Sequence, residues 1–168
     1  SPAADGVPPL LALDAEVELA SAAGRRSLPL AAFLRDVRAT ERRPDEILTA
    51  VRIPGSALAG RSAFLKLGAR AHLVISIAMV AARIVVEDGR IAAAALAVGA
   101  CGPVATRLPA IEARLAGARA DAVRIDPEEV AAALRPIDDV RATAAYRAEA
   151  AAELLRRAIG QATAGAPA

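Results

Sequence analysis

The chain has 168 residues, enough for one domain, or for a small piece and a domain, with a core of its own. Hydrophobic residues make up 55% of it and aromatic residues only 2%, so Leu, Val, Ile and Ala must fill the interior. Its 21 basic and 19 acidic residues give a net charge of +2. They form no basic stripe and no aromatic residues interleave with them, which argues against nucleic-acid binding.

A single cysteine, Cys101, excludes a disulfide framework and a Cys/His cluster for zinc or iron–sulfur. No apolar run reaches the length of a membrane span and no signal peptide is visible, so we expect a cytoplasmic protein. Abundant alanine and arginine, against one lysine, are typical of a GC-rich bacterial gene. The first residue is serine rather than methionine, which indicates a processed or partial product.

The first third of the chain carries short alternating segments separated by turn residues. They predict a loop over 1–9, a strand over 15–20, a turn at Gly24-Arg25, a strand over 26–30, a helix over 31–37 and a strand over 47–53. These strands look like the end of a sheet that begins elsewhere. Residues 55–61 are the best internal boundary.

The rest of the chain alternates less and becomes helical towards its end. Its predicted elements are strands over 63–67, 75–87 and 91–98, a hairpin turn at Asp88-Gly89, helices over 109–115, 126–134 and 143–159, and a fraying tail over 160–168. The predicted fold class is therefore α+β. A remnant over 1–58 is followed, over 59–168, by a three-stranded antiparallel sheet packed on about three helices.

No complete catalytic or metal-binding set is visible. His72 is the only histidine and has no metal-ligand spacing around it, so packing or a loop is its expected role. Nucleophile-elbow, Walker and dinucleotide motifs are absent. Asp138-Asp139 precedes a predicted helix, where capping competes with acid/base work. Cys101 follows an apolar strand and is expected to be an inert buried thiol.

Four segments, in this order and spacing, resemble one family. They are SPAADGVPPLLAL over 1–13, PDEILTAVRIP over 44–54, FLKLGAR over 64–70 with ISIAMV over 75–80, and DDVRATAAYR over 138–147. Together they look like the C-terminal part of the FAD-binding (medium) subunit of the xanthine dehydrogenase and carbon monoxide dehydrogenase family of molybdenum hydroxylases. The resemblance covers essentially the whole chain.

The resemblance implies an FAD-dependent oxidoreductase component. In that family a molybdopterin subunit oxidises the substrate, an iron–sulfur subunit with 2Fe-2S clusters relays electrons, and the flavin subunit passes them to NAD or another acceptor. Residues 1–58 would then be the C-terminal part of the FAD-binding subdomain, and 59–168 the C-terminal domain of the flavin subunit. An N-terminal FAD-binding segment would be a further partner.

The resemblance also implies cofactor-binding residues. Ser1 and Asp5 match the segment that contacts the ribityl and phosphate side of the flavin, and Leu48 matches a position that touches the isoalloxazine. Lys66 matches a lysine near the ring, and Arg70 a basic position close by; a cation there favours reduced, anionic flavin. Taken alone, the same residues also fit a turn aspartate, a solvated lysine and a core leucine.

The sequence departs from the family in two places. The Gly-rich pyrophosphate loop and the Thr-x-Gly-Gly-Asn-like segment that precede Ser1 in the family are not present. Acidic residues that some members place after the basic pair are replaced by His72, Leu73 and Val74. Two alternatives stay open: a non-catalytic docking module for the iron–sulfur and molybdopterin subunits that binds no FAD alone, and an unrelated α+β scaffold.

Overall fold

A computed structural model describes residues 1–164 and confirms the predicted α+β class. The helices in this part of the chain are α1 (Val7–Ala12), α2 (Leu30–Phe33), α3 (Pro109–Leu115), α4 (Pro127–Ala132) and α5 (Ala144–Thr163). The strands are β1 (Glu16–Ser21), β2 (Gly24–Pro29), β3 (Leu34–Asp36), β4 (Ala39–Thr40), β5 (Ile47–Arg52), β6 (Arg61–Leu67), β7 (Ala78–Glu87), β8 (Arg90–Gly99) and β9 (Thr106–Arg107). No helix within residues 1–164 is long and apolar enough to cross a bilayer.

The N-terminal sheet has the order β2-β1-β5, with both pairs antiparallel. Val17 and Leu19 of the central strand β1 are buried, as their period-two alternation predicts. Glu18 between them is buried as well, with 7% of its surface exposed. Thr49 of β5 and Arg25 of β2 donate to its Oε1 atom at 2.8 and 2.9 Å, so this carboxylate joins all three strands.

The C-terminal sheet within the described residues has the order β6-β7-β8-β9 and is antiparallel throughout. Asp88 and Gly89 join β7 to β8, both with positive φ, which is the geometry that the Asp-Gly pair favours. β9, only two residues long, was not predicted. Helices α3, α4 and α5 cover one face of this sheet, where Leu96, Ile111 and Leu155 share the main core.

The long helix α5 crosses β7 and β6 and carries its buried residues on one stripe, which includes Ala151, Leu155 and Ile159. Thr143 caps its N-terminus by accepting a hydrogen bond from the Tyr146 backbone at 3.2 Å. Asp126 caps α4 as predicted, because its side chain accepts a hydrogen bond from the Glu128 amide at 2.9 Å.

The opposite face of the C-terminal sheet receives α1 from the N-terminal third. Leu11 of α1 packs with Leu19 and with Ala97 of β8 in a second core. The end of α1 is also fixed by charge, because Asp14 forms ion pairs with Arg83 and Arg107, both at 2.6 Å. The N-terminal third is therefore bound to the larger sheet by packing and by ion pairs.

Several predicted boundaries were wrong. The predicted loop over 1–9 includes the start of α1, because Pro8 and Pro9 fit a first helical turn. The first hairpin turns at Ala22 and Ala23, since Ser21 already pairs with Gly24. The helix predicted over 31–37 ends at Phe33, and β3 follows.

The tail predicted to fray from 160 starts as helix, because α5 continues to Thr163 with Ala162 buried. The rest of the predicted tail, 165–168, lies outside the described residues.

Candidate functional site

Asp5 and Lys66, 61 residues apart in the chain, form the centre of the candidate site. Asp5 lies two residues before α1, and Lys66 lies near the end of β6. The Lys66 ammonium donates to Oδ2 of Asp5 at 2.6 Å, and the Ser76 hydroxyl donates to Oδ1 at 2.6 Å. One carboxylate thus joins the N-terminal third to both ends of the loop between β6 and β7.

The two hydrogen bonds set the charge state of this site. Donation from Lys66 and then from Ser76 holds the pKa of Asp5 below its ordinary value of 3.8. Both side chains remain accessible, with 45% of Asp5 and 27% of Lys66 exposed. Asp5 is therefore a carboxylate at neutral pH, within reach of a ligand.

Lys66 has a second partner, the carbonyl of Val74, at 2.8 Å. An ammonium has three donors and an ionised carboxylate about four acceptor sites, so each member of the pair has capacity left for a ligand. The loop 68–77 closes back on β6, because the Ile77 amide donates to the Leu67 carbonyl at 2.8 Å. This closure carries Ser76 and Val74 to the Asp5–Lys66 pair.

Arg70 does not reach the Asp5–Lys66 pair. Its guanidinium donates to the carbonyl of Leu73, three residues later in the loop between β6 and β7. Leu73 has a φ of 52° and is 92% exposed, so the tip of this loop presents an apolar side chain to solvent. In this arrangement Arg70 shapes the loop tip rather than the carboxylate site.

Ser1 and Leu48 lie outside the pair as well. Ser1 accepts a hydrogen bond from the Ala3 amide at 3.4 Å and lines a cleft of about 400 Å³. Leu48 lies on the edge strand β5, paired with Leu19, and is 44% exposed. Within residues 1–164, the structure thus brings Asp5 and Lys66 together, keeps Ser1 on the adjoining segment and places Leu48 on a separate strand.

The cleft beside Ser1 has a mixed lining. Ile75 and Ile137 contribute apolar surface and are each at least half exposed, at 52% and 68%. Arg135 and Arg141 bring positive charge to the same cleft. Ser76, which binds Asp5, also lines it, so the cleft adjoins the carboxylate site.

Three further residues belong to this region: Ser76 and Arg147, which sequence reasoning did not select, and Asp139, which it considered only for acid/base work or capping. Arg147 of α5 is only 3% exposed and donates to Asp139 at 2.6 Å and to the Ile77 carbonyl at 2.6 Å. All three lie in segments that carried the family resemblance, 75–80 and 138–147, which was the signal available for finding them.

Other candidate groups have structural surroundings. Cys101 is buried, and burial raises the pKa of its thiol to about 11, which agrees with an inert role. Asp138 accepts from the Ala144 amide, the first residue of α5, at 2.5 Å, which is the capping role. Among residues 1–164, no three His, Cys, Asp or Glu side chains gather as a metal site requires.

The fold is that of a class of flavoprotein domains. Residues 1–56 match the model of the FAD binding domain in molybdopterin dehydrogenase. Residues 63–162 match the CO dehydrogenase flavoprotein C-terminal domain, and the chain belongs to this family. These matches confirm the predicted family and FAD as its cofactor. No curated protein sequence matched the chain.

Solved structures agree with the family. A chain of a cyanide-inactivated Cu,Mo-CO dehydrogenase shares 26% identity at a TM-score of 0.91, over 99% of this chain and 58% of its own. A quinoline 2-oxidoreductase chain from Pseudomonas putida 86 shares 28% identity at a TM-score of 0.78, and the match covers 97% of this chain and 58% of that one. A reconstituted CO dehydrogenase chain from Oligotropha carboxidovorans is 24% identical and has the same fold, with a TM-score of 0.89. The match covers 99% of this chain and 58% of that one.

The protein thus spans a little more than half the length of the solved relatives that it matches. These relatives are CO dehydrogenases and a quinoline oxidoreductase, so they give no support to a specificity like that of xanthine dehydrogenase.

Proposed function

We propose that this chain is the C-terminal part of the FAD-binding subunit of a molybdenum hydroxylase complex, passing electrons from iron–sulfur clusters through FAD to NAD or another acceptor. The observation that carries the proposal is the Asp5–Lys66 ion pair at 2.6 Å. One partner lies in the segment that matches an FAD binding domain and the other in the segment that matches a CO dehydrogenase flavoprotein domain.

The residues present fit a flavin. A carboxylate with free acceptor sites, as in Asp5, accepts hydrogen bonds from ribityl hydroxyls. The Lys66 ammonium, held in place by Asp5 and by the Val74 carbonyl, supplies positive charge and one further donor. FAD, when bound, supplies the electron-carrying chemistry, and the protein supplies orientation and charge.

Ser1, Leu48 and Arg70 complete the proposed cofactor-contacting set with Asp5 and Lys66. Ser1 lies on the Asp5 segment, and Leu48 offers an exposed apolar surface of the kind that covers a flat ring. Arg70 lies four residues beyond Lys66, at the exposed tip of the same loop. For Arg70 to contact the flavin, its guanidinium must leave the Leu73 carbonyl.

The proposal extends to organisation and partners. Residues 1–58 form the end of the FAD-binding subdomain and 59–168 the C-terminal domain. The partners are an N-terminal FAD-binding segment, an iron–sulfur subunit and a molybdopterin subunit. The family match and the molybdenum enzymes among the solved relatives support these partners. A bacterial, cytoplasmic setting is proposed from composition and from the single cysteine.

FAD titration of the purified 168-residue chain, alone and with the N-terminal FAD-binding segment, tests the proposal. Quenching of FAD fluorescence on titration with the chain gives a dissociation constant, and Lys66→Ala is expected to raise that constant. Arg157→Ala is the matched control, since Arg157 is an exposed residue of α5 paired with Glu153. Equal affinity in the wild type and in Lys66→Ala would remove the proposed role of this lysine.

A second candidate function is a docking module that holds no FAD alone. The observation favouring it is the apolar surface of the edge strand β5, where Ile47 is 66% and Val51 45% exposed. If the folded chain leaves FAD fluorescence unquenched at every concentration, FAD binding by this chain alone is excluded, and docking is favoured unless addition of the N-terminal FAD-binding segment restores the quenching. Tight yellow colour in the purified chain excludes docking as its sole role.

A further inference from the structure

Arg147 is an arginine that this chain buries almost completely. It lies in the first turn of α5, and only 3% of its surface is exposed. Its Nη1 atom donates to the carbonyl of Ile77 at 2.6 Å and to that of Ala100 at 3.3 Å, while Nη2 donates to Asp139 at 2.6 Å. One guanidinium therefore joins the loop after β6, the loop after β8 and the turn before α5.

Two of these contacts lead on to the segment over 1–5. Ile77 follows Ser76, whose hydroxyl donates to Oδ1 of Asp5 at 2.6 Å. Ala100, through its amide, donates to the Pro2 carbonyl at 3.0 Å. Arg147 thus supports the segment near both of its ends, although its hydrogen bonds go to none of the residues assigned to the flavin site.

We propose that Arg147 is a positioning residue: from the wall of the cleft it holds the Ser76–Ile77 segment and Ala100 so that they fix Asp5 against Lys66. The inference rests on the proposed function only for its consequence, flavin binding; the placement of Asp5 can be measured without FAD. Arg147 itself is not proposed to touch cofactor or substrate.

The geometry calls for arginine in particular. A guanidinium presents five donors in a fixed, planar fork, so it can reach two carbonyls and a carboxylate in different directions at once. Asp139 is itself fixed, because it accepts from the Arg141 and Ala142 amides at 2.8 and 3.2 Å. A lysine at position 147 keeps the charge but cannot hold the three segments in the same way.

The test follows the Asp5 carboxyl by ¹³C NMR during a pH titration of the 168-residue chain. Ser76 donation lowers the pKa of Asp5, so Ser76→Ala is expected to raise that pKa. Arg147→Lys is expected to raise it as well, and the double variant to raise it no further than Ser76→Ala alone, since both changes break one chain of contacts. Arg157→Lys, an exposed exchange on the same helix, should leave it unchanged.

A folded Arg147→Lys chain in which the pKa of Asp5 stays at its wild-type value overturns the proposal, because a merely structural arginine affects stability alone. If Arg147→Lys fails to fold, Asp139→Asn takes its place: it leaves the buried guanidinium present but weakens one of its anchors. An unchanged pKa of Asp5 in that variant has the same consequence.

FAD titrations of the same variants separate this inference from the proposed function. If Arg147→Lys moves the pKa of Asp5 and weakens FAD binding while Arg157→Lys does neither, both stand. If the pKa of Asp5 moves but the wild-type chain binds no FAD, either alone or with the N-terminal FAD-binding segment, the positioning role stands and the flavin proposal fails.

Discussion

Lys66 donates to Asp5 across the boundary between the N-terminal third and the C-terminal sheet, at 2.6 Å. Neither segment could form this ion pair by itself, because Asp5 lies just before α1 and Lys66 lies near the end of β6. The packing of α1 on the β7–β8 face sets the distance between them. The candidate site is thus a product of tertiary structure rather than of a local motif.

Lys66→Met should raise the pKa of Asp5 and reduce the acid dependence of stability. A carboxyl whose pKa is lowered on folding stabilises the native state above its unfolded pKa, and this contribution is lost as the pH falls through the lowered value. Urea unfolding between neutral pH and the acid limit measures the effect. If the free energy of unfolding depends on pH in the same way in the wild type and in Lys66→Met, the ion pair contributes nothing to folding.

Glu18→Gln should lower the stability of the N-terminal sheet. Donation from Arg52, then from Thr49, lowers the pKa of Glu18 from 4.5 to about 2, so its contribution is complete above pH 4.5 and is lost as the pH falls towards 2. At neutral pH we expect the melting temperature to fall by a few degrees, and the acid branch of the stability curve to flatten.

Glu153→Gln is the matched control for this change. Glu153 also has a pKa of about 2, from Arg156 and Arg157, but its side chain is 42% exposed and the pairs are screened by solvent. The melting temperature of the Glu153→Gln protein should stay close to that of the wild type. An equal loss in both variants would mean that burial of Glu18 adds nothing.

Cys101 should resist alkylation in the folded chain. A thiol with a pKa of about 11 is ionised at pH 8 in roughly one molecule per thousand, and this thiol is also buried. A thiol reagent at pH 8 should react slowly with the native protein and rapidly in urea. Because Cys101 is the only cysteine, the absorbance change reports one site. Fast reaction without denaturant would contradict the buried position.

Much of the fold could be predicted from local patterns. The alternation around Val17 and Leu19, the Asp88-Gly89 pair and the Asp126-Pro127 start each identify an element by a rule that acts over a few residues. The start of α1 was missed because three prolines and a glycine over 1–9 favour a loop; the same prolines fit a first helical turn, and packing on β7 and β8 supports the helix.

The site was less accessible to sequence reasoning. Asp5 and Lys66 were selected through the family resemblance, and no local pattern relates residues 61 positions apart. Arg147 was missed because an arginine near the start of an amphipathic helix is ordinarily a solvated residue, and its contacts depend on two loops from elsewhere in the chain as well as on the turn before α5. Arg70 is the opposite case: the family resemblance selected it, but its side chain binds the Leu73 carbonyl rather than the Asp5–Lys66 pair.

Leu48 provides a test of the flavin surface that stability does not confound. Leu48 and Ile53 are each 44% exposed, and replacing either by serine should change the free energy of unfolding by less than about 0.5 kcal/mol. If Leu48 covers the flavin, Leu48→Ser should weaken FAD binding by about tenfold, which corresponds to about 1.4 kcal/mol of lost apolar contact. Ile53→Ser, with the same loss of apolar surface just beyond the end of β5, should leave FAD affinity near the wild-type value. FAD titration of the three proteins by fluorescence measures the difference, and equal affinities would remove Leu48 from the proposed flavin surface.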